Sequence, residues 1–197
     1  MNKQAILIFQ KNRELGKVKT RLAATIGDEN ALLIYNKLVD KAHENVLQLQ
    51  ADKFIFFSDH TENDPRWNGY QQRVQHPGDL GERMHFALQE VLEMGYLQAV
   101  LIGTDCYELN STILEDAFTA LETHDYVLGP ANDGGYYLIG GVRTDEAVFL
   151  NKTWSTDRVA IEALESIAEI GCSVYCINHL NDVDVEADLG ELNSFLA

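Results

Sequence analysis

Four stretches of this sequence combine residue types able to hold a phosphate-bearing ligand. Gly103-Thr104-Asp105-Cys106 ends the most strongly apolar run of the chain. A carboxylate there can hold Mg²⁺ or Mn²⁺, hard cations that take oxygen ligands and bridge to phosphates. The simpler alternative is that Asp105 caps the turn into the next helix. Gly16-Lys17-Val18-Lys19-Thr20-Arg21-Leu22 follows the first apolar run, and Lys11, Arg13, Lys17, Lys19 and Arg21 fall within eleven positions of a chain with 15 Lys and Arg. Even spacing would put about one basic residue there. Lysine and arginine bind phosphate, as a compact charge and as a two-pronged donor; a solvated charged turn is the alternative. The glycine spacing of a P-loop is absent, as is G-x-G-x-x-G.

Gly129-Pro130-Ala131-Asn132-Asp133-Gly134-Gly135-Tyr136-Tyr137 lies between two apolar runs. Gly134 and Gly135 allow backbone to approach a ligand closely or to adopt positive φ, although Asp-Gly is also a hairpin signal, and spacing alone favours the turn. Asp182, Asp184, Glu186 and Asp188 form an acidic cluster near the C-terminus. It is not an EF-hand, because Ala187 stands where that loop needs glycine. Asp184 could cap a last helix carrying Val185, Leu189, Leu192 and Leu196, or share a cation with a carboxylate from elsewhere. Asp79 and Glu82 have capping-box spacing, which leaves Arg83 and the helix N-terminus free to contact a ligand.

The elements that must position these residues follow from periodicity. Ala5–Phe9, Lys53–Ser58, Ala99–Gly103, Tyr126–Gly129, Tyr136–Gly140 and Val174–Ile177 read as strands. Helical spacing starts at Asp28, again over Leu80–Leu92 with an end near Gly95, after Asn110-Ser111, and after Ser155 or Thr156, the last with Ala160, Ala163, Leu164, Ile167 and Ala168 inward. Residues 61–69 are polar and turn-rich. Strands alternating with helices predict a mainly parallel sheet with ligands at the carboxyl ends of its strands.

At 197 residues with no linker or repeat, one domain is expected over residues 1–197. A net charge of −16 argues against nucleic-acid binding, which needs cations to neutralise phosphates. No apolar run approaches the roughly 18–20 residues of a membrane span, and no secretory leader pattern precedes the first strand, so a cytoplasmic location is expected. Cys106, Cys172 and Cys176 fit neither a disulfide framework nor a zinc spacing, and Cys172 and Cys176 are expected to be small buried residues.

Taken in order, Val18-Lys19-Thr20-Arg21-Leu22, Gly78-Asp79-Leu80-Gly81-Glu82-Arg83-Met84, Ile102–Cys106, Gly129-Pro130, Asp133–Gly140, Trp154-Ser155-Thr156 and Asp182-Val183-Asp184 resemble the DUF2064 family of small bacterial GT-A-type glycosyltransferases. They are similar, more distantly, to guanylyltransferases of the cofactor F420 and molybdenum-cofactor pathways. The resemblance spans essentially the whole chain, with Tyr107 where the family usually has proline and Asn132 where an acidic residue is common. It implies a three-layer α/β/α nucleotide-diphospho-sugar transferase fold with a mainly parallel mixed sheet.

The resemblance also implies roles. Asp105 and Asp133 are the candidate catalytic residues, Asp105 and Asp184 the candidate ligands of Mg²⁺ or Mn²⁺. Lys19, Thr20, Arg21, Arg83, Gly134 and Gly135 are the candidates for binding nucleotide. Unlike unit charges 4 Å apart attract by about 4 kcal/mol at an effective dielectric near 20. Bare carboxylates would repel a nucleotide with similar strength, and a divalent cation between them reverses the sign. The expected partners are a nucleotide or nucleotide sugar and a small-molecule acceptor, and association into a homo-oligomer is left open. Glycosyl transfer leads; nucleotidyl transfer to a phosphorylated acceptor and a non-catalytic nucleotide sensor are the alternatives.

Overall fold

A computed structural model describes residues 4–154 and 156–196. These form a seven-stranded sheet of β1 (Gln4–Gln10), β2 (Asp52–Phe57), β3 (Gln71–Val74), β4 (Gln98–Ile102), β5 (Tyr126–Pro130), β6 (Tyr136–Gly141) and β7 (Val174–Cys176), in the order β3-β2-β1-β4-β6-β5-β7. All pairings are parallel except those of β6 with β4 and β5. The helices are α1 (Thr20–Ile26), α2 (Asp28–Leu47), α3 (Leu80–Glu93), α4 (Ser111–Ala120), α5 (Glu146–Phe149) and α6 (Val159–Glu169), and the chain closes in 3-10 turns at Glu186–Asp188 and Gly190–Leu196.

Strand periodicity sorts the core into two layers. Ile6, Ile8, Ile55, Phe57, Val100 and Ile102 face one way, against Tyr35, Val39 and Val46 of α2 and Leu114, Ala117 and Phe118 of α4. Ala5, Leu7, Phe9, Phe54, Ala99 and Leu101 face the other, against Met84, Leu88 and Val91 of α3 and Ala160, Ala163 and Ile167 of α6. Both faces of the central strands are thus covered, which is why they read as unbroken apolar runs. A third cluster joins Leu22 of α1, Ile34 and Leu38 of α2, and Val183, Leu189 and Leu192 of the C-terminal segment. That cluster carries the chain end back to the first loop.

The three-layer α/β/α fold is as expected; several details differ. Residues 20–22, expected as loop, begin α1, because Leu22 is drawn into the third cluster. Polar β3 escaped notice, since only an edge strand tolerates such a sequence, and α5 is a single turn. Helix α6 starts at Val159; Ser155 lies outside the described residues. Ala168, near the end of α6, is exposed rather than inward; Cys172 is half-buried, and Cys176 is exposed because β7 is a short edge strand. Val185 is 43% exposed, and Asp184 does not cap the last turns: the Asp188 carboxylate accepts the backbone N–H of Asp184 and Val185 instead. Among the described residues no helix is long and apolar enough to cross a membrane.

Candidate active site

After β3 the chain returns to the other side of β1, so strand order reverses between β1 and β4. A crevice opens at such a switch point, outside the carboxyl ends of the strands. Here it is a cavity of about 930 Å³, and its lining includes Gln10, Lys19, Asp105, Tyr136, Trp154 and Asp182. Asp133 and Gly135 of the β5–β6 hairpin reach the same cavity, because β6 runs antiparallel and begins where its neighbours end.

Lys19 is the hub. It adopts φ 47°, the left-handed region that a non-glycine residue rarely enters, as the residue capping α1. Its side chain is only 5% exposed, with Nζ 2.7 Å from Asp105 Oδ1 and 3.2 Å from Asp184 Oδ1. Burial pulls the ammonium's pKa down, but Asp105 and then Asp184 outweigh it, and the net shift is upward. Arg21, largely exposed, reaches Asp184 Oδ2 at 2.8 Å. The Val183 backbone N–H donates to the Asp105 carbonyl at 2.9 Å, stitching the chain end to the β4 loop while Val183 plugs the third cluster.

Asp182 lies beside this pair, and its carboxyl is pushed up to about 7. Burial is the main cause; Asp105 adds to it, Lys19 opposes it, and Asp133 and Asp184 push further. Asp105, Asp133, Asp182 and Asp184 all line the cleft. Asp182 belongs to the quoted Asp182-Val183-Asp184 motif, yet alternation around Val183 is the only sequence signal that singles it out.

The remaining candidates are placed as follows. Thr20, Arg83, Asp133 and Gly135 line the cleft. Arg83 donates to the Gly78 carbonyl at 2.9 Å, bracing the loop before α3, whose capping box of Asp79 and Glu82 forms as expected. Asp133 Oδ1 accepts the Gly135 N–H at 2.8 Å, so the hairpin turn also orients the carboxylate. Gly134 is not among the lining residues: at φ 91° it packs against the Asp157 backbone, and its carbonyl accepts the Ala160 N–H at 2.9 Å at the start of α6.

The basic cluster is largely neutralised from within. Arg13 pairs with Glu62 and Asp64, and Lys17 with Glu14, besides the pairs of Lys19 and Arg21. Asn12 adds a buried hub, its Oδ1 accepting from Ser58 Oγ and the backbone N–H of Asp59 and His60. Sequence reasoning also passed over Tyr35, whose hydroxyl bonds the Lys11 backbone and Thr104 at the cleft floor.

The donor set suits a hard cation. Asp105 and Asp184 already converge on one positive centre, the Lys19 ammonium. Among the described residues no three acidic, His or Cys side chains form a complete cage. Mg²⁺ does not need one, since it commonly takes one or two carboxylates and completes its shell with phosphates and water.

A crystal structure from Desulfovibrio desulfuricans G20, provisionally described as a nucleotide-diphospho-sugar transferase, matches with 32% identity over 98% of this chain and 87% of its own, at a TM-score of 0.90. The inositol-1-phosphate CTP transferase of T. maritima shares the fold at 13% identity and a TM-score of 0.58, covering 99% of this chain and 94% of its own. So does the 4-diphosphocytidyl-2C-methyl-D-erythritol synthase of Anaerococcus prevotii, at 9% identity and a TM-score of 0.62, over 99% and 96%. No curated protein matches the chain. The model of DUF2064, described as an uncharacterized protein conserved in bacteria, matches residues 41–156, and with this match and the 32% identity above, the chain belongs to the DUF2064 family.

Proposed function

We propose that the cleft binds a nucleotide-activated donor with Mg²⁺ or Mn²⁺ at Asp105 and Asp184, and that it transfers the donor's glycosyl group to a small-molecule acceptor. The observation that carries this reading is the convergence of Asp105, Asp184 and Lys19 at the switch point of the sheet. The family relative described as a nucleotide-diphospho-sugar transferase supports the donor class.

In the ligand-free chain Lys19 neutralises the two carboxylates. With a nucleotide bound, Lys19 and Arg21 turn to its phosphates and hold them against the cleft floor. When bound, a divalent cation at the two carboxylates supplies positive charge to the leaving diphosphate oxygen. Asp133, oriented by the Gly135 N–H, takes the proton of the acceptor hydroxyl. The acceptor oxygen bonds to the anomeric carbon, the bond from that carbon to the diphosphate oxygen breaks, and a nucleoside diphosphate leaves.

Titration with UDP- and GDP-sugars, with Mg²⁺, with Mn²⁺ and with chelator, tests the reading. Asp105→Asn keeps the shape and removes the anionic oxygen, so we expect a folded protein whose cation-dependent affinity falls about tenfold or more. Asp184→Asn should give a similar or milder loss. Wild-type metal-dependent binding by Asp105→Asn overturns the site. Pyrophosphate release from nucleoside triphosphates and phosphorylated acceptors, without nucleoside diphosphate release from nucleotide sugars, reassigns the cleft to nucleotidyl transfer. Binding with neither product makes it a sensor.

A further inference from the structure

Gln10 ends β1 on the rim of the switch-point crevice, a polar residue directly after the apolar run Ala5–Phe9. Its backbone is committed to the sheet: it stands opposite Phe57, and its carbonyl accepts the Ser58 N–H at 2.9 Å. The side chain is wholly covered, 0% exposed, yet neither its amide nitrogen nor its amide oxygen meets a hydrogen-bonding partner among the described residues. The nearby Tyr35 hydroxyl does not serve it, being engaged with the Lys11 backbone and Thr104.

Buried amides are nearly always hydrogen-bonded, and one left without a partner carries a desolvation penalty that an apolar side chain of equal length would avoid. Folding alone gives no reason for glutamine here. Gln10 also borders the cleft, so its covered amide belongs to a residue beside the space proposed for the nucleotide. Because donor and acceptor are both unused, the matching ligand group must offer an acceptor beside a donor. A phosphate offers acceptors alone and is served by the Lys19 end of the cleft.

We infer that Gln10 is a specificity residue that receives an adjacent donor–acceptor pair of the bound nucleotide, the hydrogen-bonding edge of its base or the vicinal hydroxyls of its ribose. The inference rests on the nucleotide reading above and deepens it: phosphates are held at Lys19, and the nucleoside is read at Gln10.

The test compares wild type with Gln10→Met, of equal length, and Gln10→Leu as a second packing. UTP, CTP, GTP and ATP are titrated, the tightest binder is carried forward with its 2′,3′-dideoxy analogue, and inorganic tripolyphosphate serves as the phosphate-only probe. We expect a ligand-free Tm equal to or above wild type, nucleotide affinity about tenfold weaker, and tripolyphosphate affinity unchanged. A penalty that persists with the dideoxy analogue assigns the base edge; one that disappears assigns the ribose. Wild-type nucleotide affinity in the variants overturns the inference, pointing to a buried water as the amide's partner. Equal weakening toward tripolyphosphate overturns it too, as does loss of folding in both variants. A wild-type protein that binds no nucleotide refutes the underlying reading itself, a result distinct from all of these.

Discussion

At the scale of single residues, the site is organised by charge held out of water. Asp182 is the plainest case, because burial above all pushes its carboxyl up to about 7 in the fold, against an ordinary 3.8. The sign follows directly. Between about pH 4 and pH 7 the native state keeps a proton that the unfolded chain releases, so this group's stability is fully present below pH 4 and lost as pH rises to 7. Asp182→Asn imitates the protonated form. In chelator-containing buffer it should match wild type near pH 4 and exceed it at pH 8, by on the order of 1–3 kcal/mol given partial solvent screening. Urea unfolding across that range measures the difference, and parallel curves for the two proteins would refute it. Cys106, by contrast, is pushed up to about 12, mainly by burial, and stays an inert thiol at neutral pH.

At the scale of elements, the β5–β6 hairpin separates two adjacent glycines into different tasks. Gly134 holds φ 91° and a Cβ there would collide with the Asp157 backbone, so Gly134→Ala is strained in conformation and in space. We expect it to lose about 2 kcal/mol or more of stability. At Gly135 a Cβ would stand 3.2 Å from Asp133 Oδ1, with no positive φ to strain. Gly135→Ala should therefore cost under about 1 kcal/mol while displacing Asp133 and lowering turnover more than stability. Thermal melts and nucleoside diphosphate release, run on both variants, separate these effects. An equal Tm for the two proteins would show that the Asp157 contact does not constrain the turn.

At the scale of the whole molecule, a net charge of −16 surrounds a cleft whose basic residues are mostly paired with its own acids. The long-range field opposes a nucleotide's approach, and salt screens it: the Debye length is about 30 Å at 0.01 M and about 8 Å at 0.15 M. Nucleotide affinity at fixed Mg²⁺ should thus hold steady or rise between about 20 and 150 mM NaCl, against the steep fall usual for an open basic patch. Calorimetry at several salt concentrations gives the slope, and a marked decrease would mean that exposed Lys11 and Arg21 dominate the encounter.

Local chemistry settled much of this by itself. Unbroken apolar runs in β1 and β4 announce strands buried on both faces, the Asp79–Glu82 spacing announces the start of α3, and the position of Asp105 after β4 announces a carboxylate lining the cleft. Each depends on neighbours a few residues away, which periodicity and capping rules can read. What only the tertiary structure decided involves partners far apart in the chain. Lys19 meets Asp184 across 165 positions because Leu22 and Val183 share one apolar cluster. Asp182 acquires its raised pKa only when packing buries it and brings Asp105 and Asp133 beside it. Gln10 looks like any strand end until packing covers its amide and leaves it unpartnered among the described residues. Burial and long-range pairing are properties of the packed chain, and no local pattern of residues encodes them.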